Sequence, residues 1–77
     1  MAAKNLLTAI QVKNAPVGKH CDGSGLWLHK RADGGAQWVL RVTVHGRRRE
    51  MGLGSLDDVS LGEARRLAEK WRAVVRE

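Results

Sequence analysis

The clearest pattern along the chain is an alternation from Gln37 to His45. Trp38, Leu40, Val42 and Val44 fall on one side, and Val39, Arg41, Thr43 and His45 on the other. A period of two is that of a half-buried strand, so the first set needs a cover and the second is left to water or a partner. A strand from Leu26 to Arg31 precedes it, with Leu26 and Leu28 inward and Trp27, His29 and Arg31 outward. Asp33-Gly34-Gly35 supplies the reversal between the two. Gly46 turns the chain into a third strand, from Arg47 or Arg48 to Leu53. Met51 and Leu53 then look inward and Arg48 and Glu50 outward. Arg47 and Arg49 share the inward parity, on stems long enough to reach back to water. A bulge near Gly46 would invert that parity.

After Ser60 the period changes to three and four. Leu61, Ala64, Leu67 or Ala68, Trp71 and Val74 or Val75 form an apolar stripe, and Ser60 with Glu63 has the spacing of a capping box. This helix is the cover that the sheet requires. Near the start of the chain, Thr8 and Gln11 mark a second capping box, with Ile10, Ala15, Val12 and Leu6 or Leu7 as apolar side. Pro16 stops that helix at or before Ala15. Residues 1–5 are polar and expected to fray, and the stretch 17–25, VGKHCDGSG, reads as turn material. The expected architecture is α+β: a three-stranded antiparallel sheet with a short N-terminal helix and a longer C-terminal helix packed on one face, in a single domain over residues 1–77.

Charge sharpens this picture. Fourteen Lys and Arg against eight Asp and Glu give a net charge of +6 and a sequence pI near 10.5, a balance that favours a polyanionic partner. The expected open face carries Trp27, His29, Arg31, Val39, Arg41, Thr43, His45 and Arg48, and Lys30, Arg47 and Arg49 frame it. Glu50 is the one acidic residue to interrupt it. These ten residues, Trp27, His29, Arg31, Val39, Arg41, Thr43, His45, Arg47, Arg48 and Arg49, form the candidate set for binding DNA. A small sheet fits the major groove. Arginines and Thr43 could approach base edges or phosphates, and Thr43 or Val39 a thymine methyl. The arginines beside the turn suit phosphates. The competing readings are a solvated basic face, a protein-interaction module, and an RNA-binding surface for which only Trp27 offers a stacking platform.

Other chemistry finds little support. One cysteine, Cys21, rules out an internal disulfide, and His20, His29, His45 and Cys21 lack the paired spacing of a zinc site. The glycine cluster of 17–25 lacks the lysine and helix of a phosphate loop. Asp57-Asp58 is accounted for by a helix N-terminus that favours negative charge. No catalytic residue, metal or cofactor is expected. With no signal-like segment and no long apolar run, the chain is expected to be cytoplasmic and to bind no membrane.

Several short pieces, in order, carry a resemblance. They are the opening Leu7-Thr8 and its short helix, Asp22-Gly23-Ser24-Gly25-Leu26 with Leu28, Trp38 with Arg41, Gly46-Arg47-Arg48, Leu53-Gly54-Ser55, and Ser60-Leu61-Gly62-Glu63-Ala64-Arg65. Together they resemble the N-terminal arm-type DNA-binding domain of tyrosine recombinases of the prophage and genomic-island integrase group. Where that family has Tyr-Pro after its Leu-Gly-x, this chain has Leu56-Asp57. The resemblance implies a non-catalytic domain that binds double-stranded arm-type sites flanking a recombination core, acting with other integrase subunits through domains this chain lacks. The family's catalytic step needs a tyrosine nucleophile, and the chain has no tyrosine. It is therefore expected to be a piece of a larger integrase.

Overall fold

The computed structural model describes residues 6–76, so the polar leader 1–5 lies outside the described residues. The elements are α1 (Ala9–Lys13), β1 (Gly18–Gly23), β2 (Leu26–Lys30), β3 (Ala36–Val44), β4 (Arg47–Ser55) and α2 (Leu61–Arg76). All strand pairs are antiparallel and the order is β1-β2-β3-β4, a simple meander.

The sheet has four strands, which corrects the expectation of three. The missed strand is β1, whose sequence GKHCDG lies inside the stretch expected to be turn. It shows no apolar alternation because it is an edge strand whose buried side chain is an acid, Asp22, only 2% exposed. Its connection to β2 is Ser24-Gly25, with φ of 53° and 88°. Positive φ at both central residues is the two-residue hairpin turn whose twist matches the flanking strands. At Gly25 a side chain has no room either, since a Cβ would collide with the Arg41 carbonyl oxygen.

The inner face is built as the alternation implies. Leu26, Leu28, Trp38, Leu40 and Val42 are buried with Ala36 from the sheet, Ala64 and Ala68 from α2, and Val12 from α1. Two alanines at the contact let α2 lie close to the strands. Trp71, Leu61 and Val75 flank that contact half-buried, so Trp71 rims the core whereas Trp38 is at its centre, 0% exposed. The Trp38 indole N–H donates to the Val59 carbonyl at 2.7 Å, which ties the loop before α2 to the sheet. In α1 the buried residue is Val12, while Ile10 is 73% exposed.

The capping box of α1 forms in full, and at α2 Ser60 caps the helix through its side chain. The Gln11 amide donates to Thr8 Oγ1 at 3.2 Å, and the Thr8 amide to Gln11 Oε1 at 2.9 Å. At α2 the Glu63 amide donates to Ser60 Oγ at 3.2 Å, and the Ser60 hydroxyl to Glu63 Oε1 at 3.3 Å. Such caps satisfy amides that the first helical turn leaves without intrahelical partners.

One irregularity sets the faces of β4. Trp38 pairs with Gly54 and Val39 with Gly52, so Leu53 is the extra residue of a bulge. The parity from Met51 back to Arg47 is unaffected: Arg49 lies opposite Val42 and Arg47 opposite Val44, on the inward side as expected. The bulge residue thus sits seven residues from Gly46, not beside it. No helix among the described residues is long and apolar enough to cross a membrane.

Candidate nucleic-acid interface

With α2 on one face, the strand register arranges the other into cross-strand rows. Lys19, His29, Gln37 and Ser55 lie side by side, then Cys21, Trp27, Val39 and Gly52, then Arg41 with Glu50, and finally Thr43 with Arg48. The last two rows have no β1 or β2 beside them, because β2 pairs with β3 only as far as Leu40. One further bond, from the Arg41 amide to the Gly25 carbonyl at 2.8 Å, closes the sheet there. Beyond it β3 and β4 run on as a two-stranded ribbon from Val42 to Arg49, backed on its inner side by the end of α2.

The ribbon ends in His45-Gly46, with φ of 50° and 77°. This is again a two-residue turn with both residues in the left-handed region. His45 is therefore a turn residue at the tip and not the last outward residue of β3. Arg31 is likewise displaced from its expected row. The strand stops at Lys30, and Arg31 begins a tight turn in which its amide donates to the Gly35 carbonyl at 2.7 Å and its Nε to Asp33 Oδ1 at 3.3 Å. The turn aspartate also accepts from the Gly35 amide at 2.8 Å.

Val39 does face outward but is 5% exposed and stands apart from the core cluster. It lies between Trp27 and Gly52 in the cross-strand row. At that exposure Val39 presents little surface to a partner. Thr43 is exposed, as are Arg47, Arg48 and Arg49.

Arg41 is held from two sides. Its Nε donates to Glu50 Oε2 at 2.7 Å, and its guanidinium carbon stands 4.7 Å from the centre of the Trp27 ring. The Glu50 carboxyl is drawn below its ordinary value by this hydrogen bond, against desolvation and with help from the charges of Arg41 and Lys19. His29 shifts the other way from a protonated state. Its pKa falls below the usual value because burial disfavours the imidazolium and Lys19 repels it, and its Nε2 is enclosed without a hydrogen-bond partner. The face thus sets the basic side chains of Lys19, Arg41 and Arg48 around a His29 whose burial disfavours protonation.

Lys19 is a member of this face that sequence reasoning missed, because it lies on the missed strand. The Ser24-Gly25 dipeptide ahead of Leu26-Trp27-Leu28 was the available signal. The other omission is Asp22. It accepts from Arg65 Nε at 2.9 Å and Nη2 at 2.8 Å and from the Leu7 amide at 2.9 Å, while Arg65 Nη2 also donates to the Leu7 carbonyl at 2.7 Å. Burial alone would raise this carboxyl, but the hydrogen bonds from Arg65 and Leu7 and the charges of Arg65 and Arg72 lower it. Arg65 is accordingly part of the scaffold rather than of a wet helix face. Arg72 is engaged too, donating to the Ser24 carbonyl and to Glu69, both at 2.9 Å.

Among the described residues no group of three or more His, Cys, Asp or Glu is placed to hold a metal ion. The arrangement offers a flat, cation-bearing β surface with one indole, continued by an arginine-edged ribbon. Such a surface suits a polyanion with a groove wide enough for two strands. Comparison with protein families gives a match over residues 7–77 to a model described as Arm DNA-binding domain. No curated protein matches the chain.

Proposed function

From the premise that the chain belongs to the arm DNA-binding domain family, a non-catalytic module for arm-type DNA sites, we propose that it binds the duplex through its open sheet face. The ribbon of β3 and β4 enters the major groove. Arg48, Arg47 and Arg49 hold phosphates along the groove walls, and Trp27, Arg41 and Thr43 face the bases. Lys19 and Lys30 extend the positive surface at the far end of the sheet. Arg31 and His45, at opposite turns, contact the backbone when it passes over them. The parent protein is a tyrosine recombinase of the integrase kind, in which this module anchors the complex to arm sites beside other subunits.

The observation that carries this reading is the division of the sheet. One face is sealed by α2 over Trp38, Leu40 and Val42, while the opposite one leaves Lys19, Arg41, Thr43 and Arg48 accessible. The ribbon arginines are exposed, and among the described residues none of Arg47, Arg48 and Arg49 is in an ion pair. Those arginines also protect the free edge of β4 from pairing with other strands, as charges on edge strands do. That role and phosphate binding are compatible.

Titration with a duplex and with the corresponding single strand, at two salt concentrations, tests the reading. Duplex binding is expected to weaken steeply as salt rises, with the logarithmic slope reduced by about one in Arg48→Ala. Tighter binding of the single strand, or affinity indifferent to salt, would overturn it.

A further inference from the structure

We propose that Glu50 and Trp27 fix Arg41 as a reader of a guanine edge, so that this arginine supplies sequence preference rather than phosphate affinity. The inference rests on the sheet-face reading above and assigns the two neighbours a positioning role.

The geometry differs from that of every other arginine on the ribbon. The Nε–H of Arg41 is spent on Glu50 at 2.7 Å, and one flat side of the guanidinium lies over the Trp27 ring at 4.7 Å. Among the described residues this guanidinium makes no other hydrogen bond, so the edge formed by Nη1 and Nη2 is left to a ligand. A shallow depression lined by Gly25, Trp27, Arg41, Val42, Thr43 and Arg48 adjoins it.

Two groups in a major groove can accept such a fork: a phosphate, and the O6 and N7 atoms of guanine. Glu50 separates them. Its carboxylate already neutralises Arg41 and would stand close to any phosphate on the free edge, where like charges repel. A guanine edge carries no net charge and meets no such repulsion. Arg47, Arg48 and Arg49 have no acidic partner of this kind among the described residues, which suits them to phosphates. Loss of freedom at Arg41 also favours a planar acceptor, because a guanidinium already held in place has less rotamer entropy to lose on binding. An acid on a DNA-binding face costs general affinity, and here that cost has a use: it converts one cation from an anchor into a discriminator.

The test is selection from a pool of random duplexes, with the wild-type chain, Glu50→Ala, Glu50→Gln, Arg41→Ala and Arg48→Ala, each first checked for an unchanged circular dichroism spectrum. The wild type is expected to enrich guanine at one position, with a preference of roughly five- to 150-fold over other bases. Replacing that guanine by 7-deazaguanine weakens the wild type and leaves Arg41→Ala unaffected. Glu50→Ala binds unselected duplex more tightly yet loses most of the guanine preference. Glu50→Gln, which can still accept from Nε, retains part of it. A merely repulsive Glu50 would raise affinity without changing the preference, and that result overturns the inference. So does uniform weakening of all duplexes in Arg41→Ala; if Arg48→Ala then also weakens them all, the sheet-face reading survives alone. Wild-type binding by Arg41→Ala, Glu50→Ala and Arg48→Ala together removes both.

Discussion

Two of the arginine–carboxylate pairs among the described residues have nearly equal distances and opposite surroundings. Arg65 meets Asp22 at 2.8 Å behind the sheet, where the acid's side chain is 3% exposed; Arg41 meets Glu50 at 2.7 Å on the open face, where the acid's side chain is 49% exposed. The first pair is bidentate and has the Leu7 backbone built into it, so it joins the segment before α1, the edge strand β1 and the helix α2. The second has water on one side and an indole on the other. Distance alone does not separate scaffold from working surface. What separates them is whether removing one partner strands a charge in the interior or merely frees it into solvent.

The largest effect is expected where a charge would be stranded. Asp22→Ala should cost about 3 kcal/mol in urea unfolding, the low end for breaking a buried pair, because Arg65 keeps some access to water. Gly25→Ala comes next, at about 2 kcal/mol, since it places a methyl group on the Arg41 carbonyl at a left-handed φ of 88°. That substitution would also disturb Arg41 itself and so tests how far the open face depends on the turn behind it. Arg48→Ala should leave the unfolding midpoint in place and lower duplex affinity about fivefold at moderate salt, equally for all sequences. Glu50→Gln should leave the midpoint unchanged, and a clear loss of stability there would erase the contrast between the pairs.

Acidity probes the same contrast. The Asp22 carboxyl is lowered in the folded state, so its contribution is complete above the ordinary carboxylate pKa and is lost as pH falls through the folded value. His29 is also lowered, but as a base. The unfolded chain takes up its proton first, so stability falls as pH drops from the ordinary histidine value towards the folded one. Wild type should therefore show two losses on acidification, one below neutrality and one in the carboxylate range. His29→Gln should abolish the first and Asp22→Asn reduce the second, whose remainder belongs to the exposed Asp33 and Glu50, as read from the urea midpoint against pH.

Most of the architecture was legible where residues report their own environment. Trp38, Leu40, Val42 and Val44 alternate because one face is dry, and Leu61, Ala64, Ala68, Trp71 and Val75 recur because one helix side lies on it. The strand β1 was not legible, since its buried side chain is an acid, Asp22, whose partner Arg65 lies 43 residues away. The candidate site was legible in its cations and less so in its placement. Arg41, Thr43 and Arg48 share the outward face as the alternation implied, and so do Trp27 and His29. Arg31 and His45 fell into turns whose start depends on backbone conformation, and Val39, outward by parity, is only 5% exposed. Parity says which way a side chain points, but what lies over it is decided by its neighbours on other strands.

The most direct test is to follow backbone and arginine Nε resonances while a duplex bearing a cognate arm site is added. The account predicts the largest shifts at Trp27, Arg41, Thr43 and Arg48, with Glu63, Arg66 and Lys70 on the exposed side of α2 unmoved. Shifts that gather on α2 and bypass those strands would contradict it.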